Sequence, residues 1–205
     1  MLSAFTLLVA FLAAPVHAFV PATPTNDVAS LDSFPDGNLQ AFWNPPGRFD
    51  GITKIVSPKP NTTKSEIGAF VNFNDAMGES ATDASVTPWI AFVSCDNTGN
   101  AADEDVLTRA HELGAIGALL YSESEATCAL DASFENPGYD VHTLLPAPDV
   151  INNLPFLLDA FNKIDAIYRN FDAATLATEQ QNISMAVPGF FDIDTGYILG
   201  SLFYL

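Results

Sequence analysis

The residues with the most chemistry open to them are two cysteines, Cys95 and Cys128. Such a pair can form a bridge, hold a metal together with histidine, or supply a thiolate nucleophile. Downstream of residue 18, the histidines available to assist are His111 and His142. A zinc site needs three or four converging His, Cys or carboxylate ligands, and no such set can be assembled if the cysteines are joined. His111-Glu112 opens like a zincin motif, but Leu113-Gly114-Ala115 follows, so H-E-x-x-H is not completed. His111 therefore reads as a solvent-side helix residue. There is no G-x-S-x-G marker of an activated serine.

One further string carries a chemical suggestion. Phe191 to Gly196 reads F-D-I-D-T-G, similar to the hydrophobic-D-T-G of aspartic peptidases, which use two carboxylates sharing a proton. Asp194-Thr195-Gly196 is followed by Tyr197, and the string has no second copy. A secreted peptidase acting through Asp194 is the remote alternative, and a plain turn is the expected reading. Asp192 with Asp194 lacks the further oxygen ligands calcium requires. No cofactor or metal is expected.

The first eighteen residues contain no acid, Lys or Arg, carry an apolar run from Phe5 to Ala14, and close on Val16-His17-Ala18. This predicts a signal peptide cut after Ala18, with Phe19 as the mature terminus. Asn61-Thr62-Thr63 and Asn182-Ile183-Ser184 are sequons, so Asn61 and Asn182 are candidate glycan acceptors. Seven Lys and Arg stand against 25 Asp and Glu, a formal charge of −18. Such a surface argues against nucleic acid or anionic lipid as a partner. Export also favours a Cys95–Cys128 bridge over a metal pair or a nucleophile.

The elements that position these residues follow from periodicity. Residues 19–60 are rich in Pro, Gly, Asn and Asp and read as an extended, helix-free segment packing on the domain. Glu66 to Phe73 alternates toward β, and Trp89 to Cys95 is a buried-type strand. Ala102, Val106, Ala110 and Leu113 mark one apolar helical face, with Asn100 as the expected N-cap and Gly114 as the stop. Ala115 to Tyr121 is the next strand. Strand, helix, strand makes a βαβ unit with a parallel pair and a right-handed crossover. Cys95 closes the first strand and Cys128 lies just past the second, so Ser122 to Thr127 must fold back for the sulfurs to meet.

Leu154 to Tyr168 is an amphipathic docking helix presenting Leu157, Phe161, Ile164 and Tyr168, and Asp172 to Gln181 is a weaker helix. Gly196 to Leu205 is apolar but well short of the ~20 residues of a membrane span. The expected organisation is a leader at 1–18, an extended segment at 19–60, a domain at 61–150, helices at 151–181, and an apolar tail or membrane stub at 182–205.

Trp89 to Cys128 resembles the core of the protease-associated (PA) domain. The similarity lies in an apolar strand ending at Cys95, a polar loop, a helix bearing Ala110, the Gly114-Ala115 pair, and an apolar strand ending in Tyr121. The family often shows Arg-Gly before this Cys, where Val93-Ser94 stands here, and an aromatic and a Lys after it, where Asp96, Asn97 and Thr98 stand. The resemblance implies an α/β (α+β) fold, a PA-like β-barrel or sandwich containing the βαβ unit, with flanking helices. It implies a non-catalytic protein- or peptide-binding module of the secretory route, secreted or lumenal. The alternative it implies is the lumenal ectodomain of a truncated membrane-anchored RING-type ubiquitin ligase, with membrane as a partner only if the C-terminal stub continues as a span. Asp96, Asn97, Ser122 and Glu123 are the expected ligand contacts, because they crown the carboxyl ends of the two strands.

Overall fold

A computed structural model describes residues 19–59, 66–74, 81–96, 105–146, 154–186 and 194–205. The leader (1–18), Asn61, Asn97 and the expected N-cap Asn100 lie outside the described residues. Nine strands are described: β1 (Ala22–Thr25), β2 (Asp36–Trp43), β3 (Gly47–Ser57), β4 (Glu66–Asn72), β5 (Trp89–Ser94), β6 (Ala115–Tyr121), β7 (Thr127–Leu130), β8 (Asp140–Leu144) and β9 (Leu199–Tyr204). The helices are α1 (Val106–Glu112), α2 (Leu154–Lys163), α3 (Ala166–Arg169), α4 (Ala173–Thr178) and α5 (Gln180–Met185).

Seven strands close into a barrel in the order β2-β3-β8-β6-β5-β4-β9, and β1 pairs with β7 in a separate antiparallel ribbon. The fold is thus mixed α and β, built on a closed barrel. The expected βαβ unit is present: β5 and β6 run parallel from Trp89 opposite Ala115 to Ser94 opposite Tyr121, with α1 between them in sequence. β4 lies parallel to β5, and β8 lies parallel to β6. Four adjacent strands therefore end at the same mouth of the barrel, at Asn72, Ser94, Tyr121 and Leu144.

Alternation along the strands sorts side chains to two sides of the barrel wall. Leu39, Phe49, Phe70, Ile90, Phe92, Leu119 and Leu202 form one core with Leu157 and Phe161 of α2. Phe161 stacks 4.9 Å from Phe92, which in turn stacks 4.1 Å from Tyr121. Helix α2 thus closes the mouth at which the parallel strands end. The alternate residues, including Val71, Trp89, Ala91, Val93 and Leu120, pack outward against Val106, Leu107 and Ala110 of α1 and against Leu176 and Ile183.

Several boundaries differ from the sequence expectation. Asp105 caps α1, its side chain accepting from the Thr108 amide, in place of Asn100. Gly114 ends α1 with φ +93°, and a Cβ there would meet the Ser85 carbonyl oxygen at 2.1 Å, so the stop residue must be glycine. The helix expected from Leu154 to Tyr168 breaks at Asp165, which accepts from the Ile167 amide and starts α3. The weak helix expected at Asp172 to Gln181 is two helices meeting at Glu179.

The largest difference concerns the ends of the chain. Residues 19–60 were expected to pack on the domain, but they include β2 and β3, two neighbouring barrel strands, and a short 3-10 turn at Val28–Leu31. The segment at 182–205 was expected to be a tail, yet β9 pairs with β2 on one side and β4 on the other. Leu199 and Leu202 are buried. An apolar end strand that satisfies its backbone on both edges completes the closure and leaves no exposed sheet edge there. Among the described residues no helix is long and apolar enough to cross a membrane.

Candidate functional site

The expected contact residues Asp96, Ser122 and Glu123 do come together, but chiefly with one another. Asp96 follows the end of β5, and its Oδ1 accepts from Ser122 Oγ at 2.6 Å and Ser124 Oγ at 2.5 Å. Its Oδ2 accepts from the Glu123 amide at 2.7 Å and Ser94 Oγ at 3.1 Å. Partial burial pushes the Asp96 pKa up, but the hydrogen bonds from Ser122, Ser124, the Glu123 amide and Ser94 outweigh it and bring the value down to about 2. The carboxylate is permanently charged near neutrality and already satisfied. Its work is to hold the loop after β6.

The same loop is held from two further directions. Cys95 and Cys128 are joined, with Cα atoms 6.2 Å apart, which ties the end of β5 to β7. Asn26, before the 3-10 turn, accepts from the Ala126 amide at 3.1 Å and donates to the Glu125 carboxylate. With both sulfurs in the bridge, neither cysteine offers a thiolate. The bridge fits a chain folded in an oxidising compartment.

Beside this loop lies a groove of about 540 Å³ between the strand ends and α2. Tyr121, Leu144, Pro146, Leu154 and Leu158 supply its apolar surface, and Glu123, Glu125 and Asp159 supply carboxylates at its edge. A second recess of about 470 Å³ adjoins it, sharing Tyr121, Glu123, Leu158 and Asn162. This one is polar, with Asn72, Asn170 and Arg169 over a floor that includes Phe92 and Phe161. Burial, then the charges of Glu123 and Asp96, push the Tyr121 pKa up to about 12, so its hydroxyl stays protonated. The two depressions lie at the mouth where the parallel strands end, and barrel mouths are among the places where ligands bind.

The other residues singled out from sequence lie apart from this site. Asp194 is exposed, and its carbonyl oxygen accepts from Asn182 Nδ2 at 2.6 Å. Asn182 Nδ2 also donates to Glu179 at 3.1 Å, so the atom that would carry a glycan is engaged by the fold. His111 is half-buried and stacks 5.2 Å from Tyr139, in place of the solvent-side setting expected for it. His142 is buried in the barrel wall, its Nδ1 2.9 Å from Thr53 Oγ1. Burial pushes its pKa down to about 4. Among the described residues no group of three or more His, Cys, Asp or Glu is arranged to hold a metal.

Sequence reasoning reached the strand ends but missed α2 and α3 as the far wall. Leu154 and Leu158 lie outside the docking face read from the helical period, and Arg169 lies just past the helix that was expected to end at Tyr168. The scarcity of cations was the available signal for Arg169. No protein-family model matches the chain, and no curated protein matches it.

Proposed function

We propose that the chain is a non-catalytic protein- or peptide-binding module of the secretory route, related to PA domains, whose ligand lies in the groove between Tyr121 and Leu158. The groove carries this reading. Its volume and its apolar walls with a few polar groups at the edge suit a peptide segment. The pinned Ser122 to Ala126 loop forms one wall, held by Asp96, Asn26 and the disulfide, so little conformational freedom is lost on binding. The disulfide suits an exported protein, and the strand-helix-strand order from Trp89 to Cys128 supports the PA likeness. Carboxylates at Glu123, Glu125 and Asp159 favour ligands that carry a cation beside their apolar residues.

Fluorescein-labelled pentapeptides with two leucines, with and without a lysine, test this by anisotropy on the full chain. Leu158→Asp, a substitution at a partly exposed wall position, is expected to weaken binding at least about tenfold while leaving the thermal transition in place. Peptide binding that ignores Leu158→Asp would overturn the assignment of the groove. Cleavage of the peptides by the wild type, lost in Asp194→Asn, would replace the binding reading with a peptidase.

A further inference from the structure

The polar recess holds a charge arrangement that the rest of the described surface lacks. Arg48, Lys54, Lys59, Arg109 and Lys163 each form an ion pair, with Asp50, Asp36, Glu66, Glu112 and Asp159 respectively. Among the described residues Arg169 forms none, although the chain carries 25 acids against seven cations. Arg169 is half-buried and lines the recess with Asn72, Asn162 and Asn170. Glu123 lines the same recess, yet the two opposite charges do not pair across it. Two opposite charges held apart in one depression match a ligand that presents opposite charges in the reverse order.

Position within the two depressions gives those charges a sequence. Leu144, Pro146 and Leu154 belong only to the apolar groove, Glu123 is shared, and Arg169 belongs only to the recess. We infer that the site takes a peptide bearing, in order, an apolar residue in the groove, a basic residue against Glu123, and a carboxylate on Arg169. The planar guanidinium can grip that carboxylate through two parallel N–H donors, and the flanking asparagine amides suit its remaining lone pairs. This inference rests on the groove as the binding site and adds the chemical class of what occupies it. The carboxylate can come from a chain terminus or from an acidic side chain.

The test measures binding of three peptides to the full-length wild type, Arg169→Gln and Glu123→Gln. The first is acetyl-Leu-Leu-Lys with a free carboxylate, the second is its amide, and the third is acetyl-Leu-Leu-Lys-Asp amide. The wild type is expected to prefer the first or third over the second by about tenfold, and Arg169→Gln is expected to erase that preference. Preference for the first identifies a chain terminus, and preference for the third identifies an acidic side chain. Glu123→Gln is expected to weaken lysine peptides but not their norleucine counterparts. Equal binding of all three peptides to wild type and Arg169→Gln would overturn the inference. Sensitivity to Leu158→Asp in that case would leave the groove standing as a site. Failure of every peptide to bind the wild type would remove both readings.

Discussion

Ser122 Oγ donates to Asp96 Oδ1 at 2.6 Å, so the residue that follows Cys95 directly holds the loop that leads to Cys128. A covalent and a polar tie therefore act on the same return of the chain. They are expected to fail separately. Cys128→Ser is expected to cost about 2–4 kcal/mol of stability, since the bridge closes a loop of 33 residues. The amides of Glu123 and Ser124 are expected to stay protected in that variant, because Asp96 still accepts from both. Asp96→Ala is expected to speed their hydrogen exchange with the bridge intact. Fast exchange of both amides in Cys128→Ser would show that the disulfide alone orders the loop.

The role of β9 predicts a strong effect at the end of the chain. Deleting residues 199–205 opens the barrel between β2 and β4 and exposes two strand edges. Calorimetry is expected to show loss of the cooperative transition. Leu199→Ala, which only empties a buried position, is expected to cost about 2–4 kcal/mol. A truncated chain that melts like the full one would mean that closure contributes little.

His142 predicts a pH window. Its folded value of about 4 lies below the ordinary 6.5, so between those limits the unfolded chain binds a proton that the folded chain does not. Stability is therefore expected to fall as pH drops from about 6.5 to about 4, by an amount on the order of 3 kcal/mol, and to be level above 6.5. Asp96 acts in a lower window: its contribution is lost as pH falls from 3.8 through about 2. The difference between wild type and His142→Asn across pH 4 to 7 isolates the histidine from the acidic surface. Parallel curves would assign the slope elsewhere.

Glycan placement follows from the use of Asn182. Its amide nitrogen donates to the Asp194 carbonyl oxygen and to the Glu179 carboxylate, which disfavours Asn182 as the acceptor. In a secreting cell, Asn61→Gln is expected to abolish the endoglycosidase-sensitive mobility shift and Asn182→Gln to leave it. The reverse pattern would show that Asn182 is modified before its helix forms.

How much of this was legible in the chain itself depended on distance along it. The strands Trp89–Ser94 and Ala115–Tyr121 and the helix joining them are local patterns, read from apolar runs and a glycine stop, and right-handed crossover made them parallel neighbours. That adjacency was enough to pair Cys95 with Cys128 and to place Asp96, Ser122 and Glu123 at one mouth. Tertiary structure alone decided the rest. Barrel closure joins β9 to β2 through backbone hydrogen bonds, which carry no residue signature, so an apolar final strand reads the same as a tail. Asp96, expected as a ligand contact, turns to the loop instead, because most of the hydroxyls and amides that fill its oxygens come from residues more than 25 positions away. Arg169 enters the recess only because the chain breaks at Asp165, which turns α3 back toward Asn72. Such meetings depend on burial and backbone pairing between distant segments, and no local spacing encodes them.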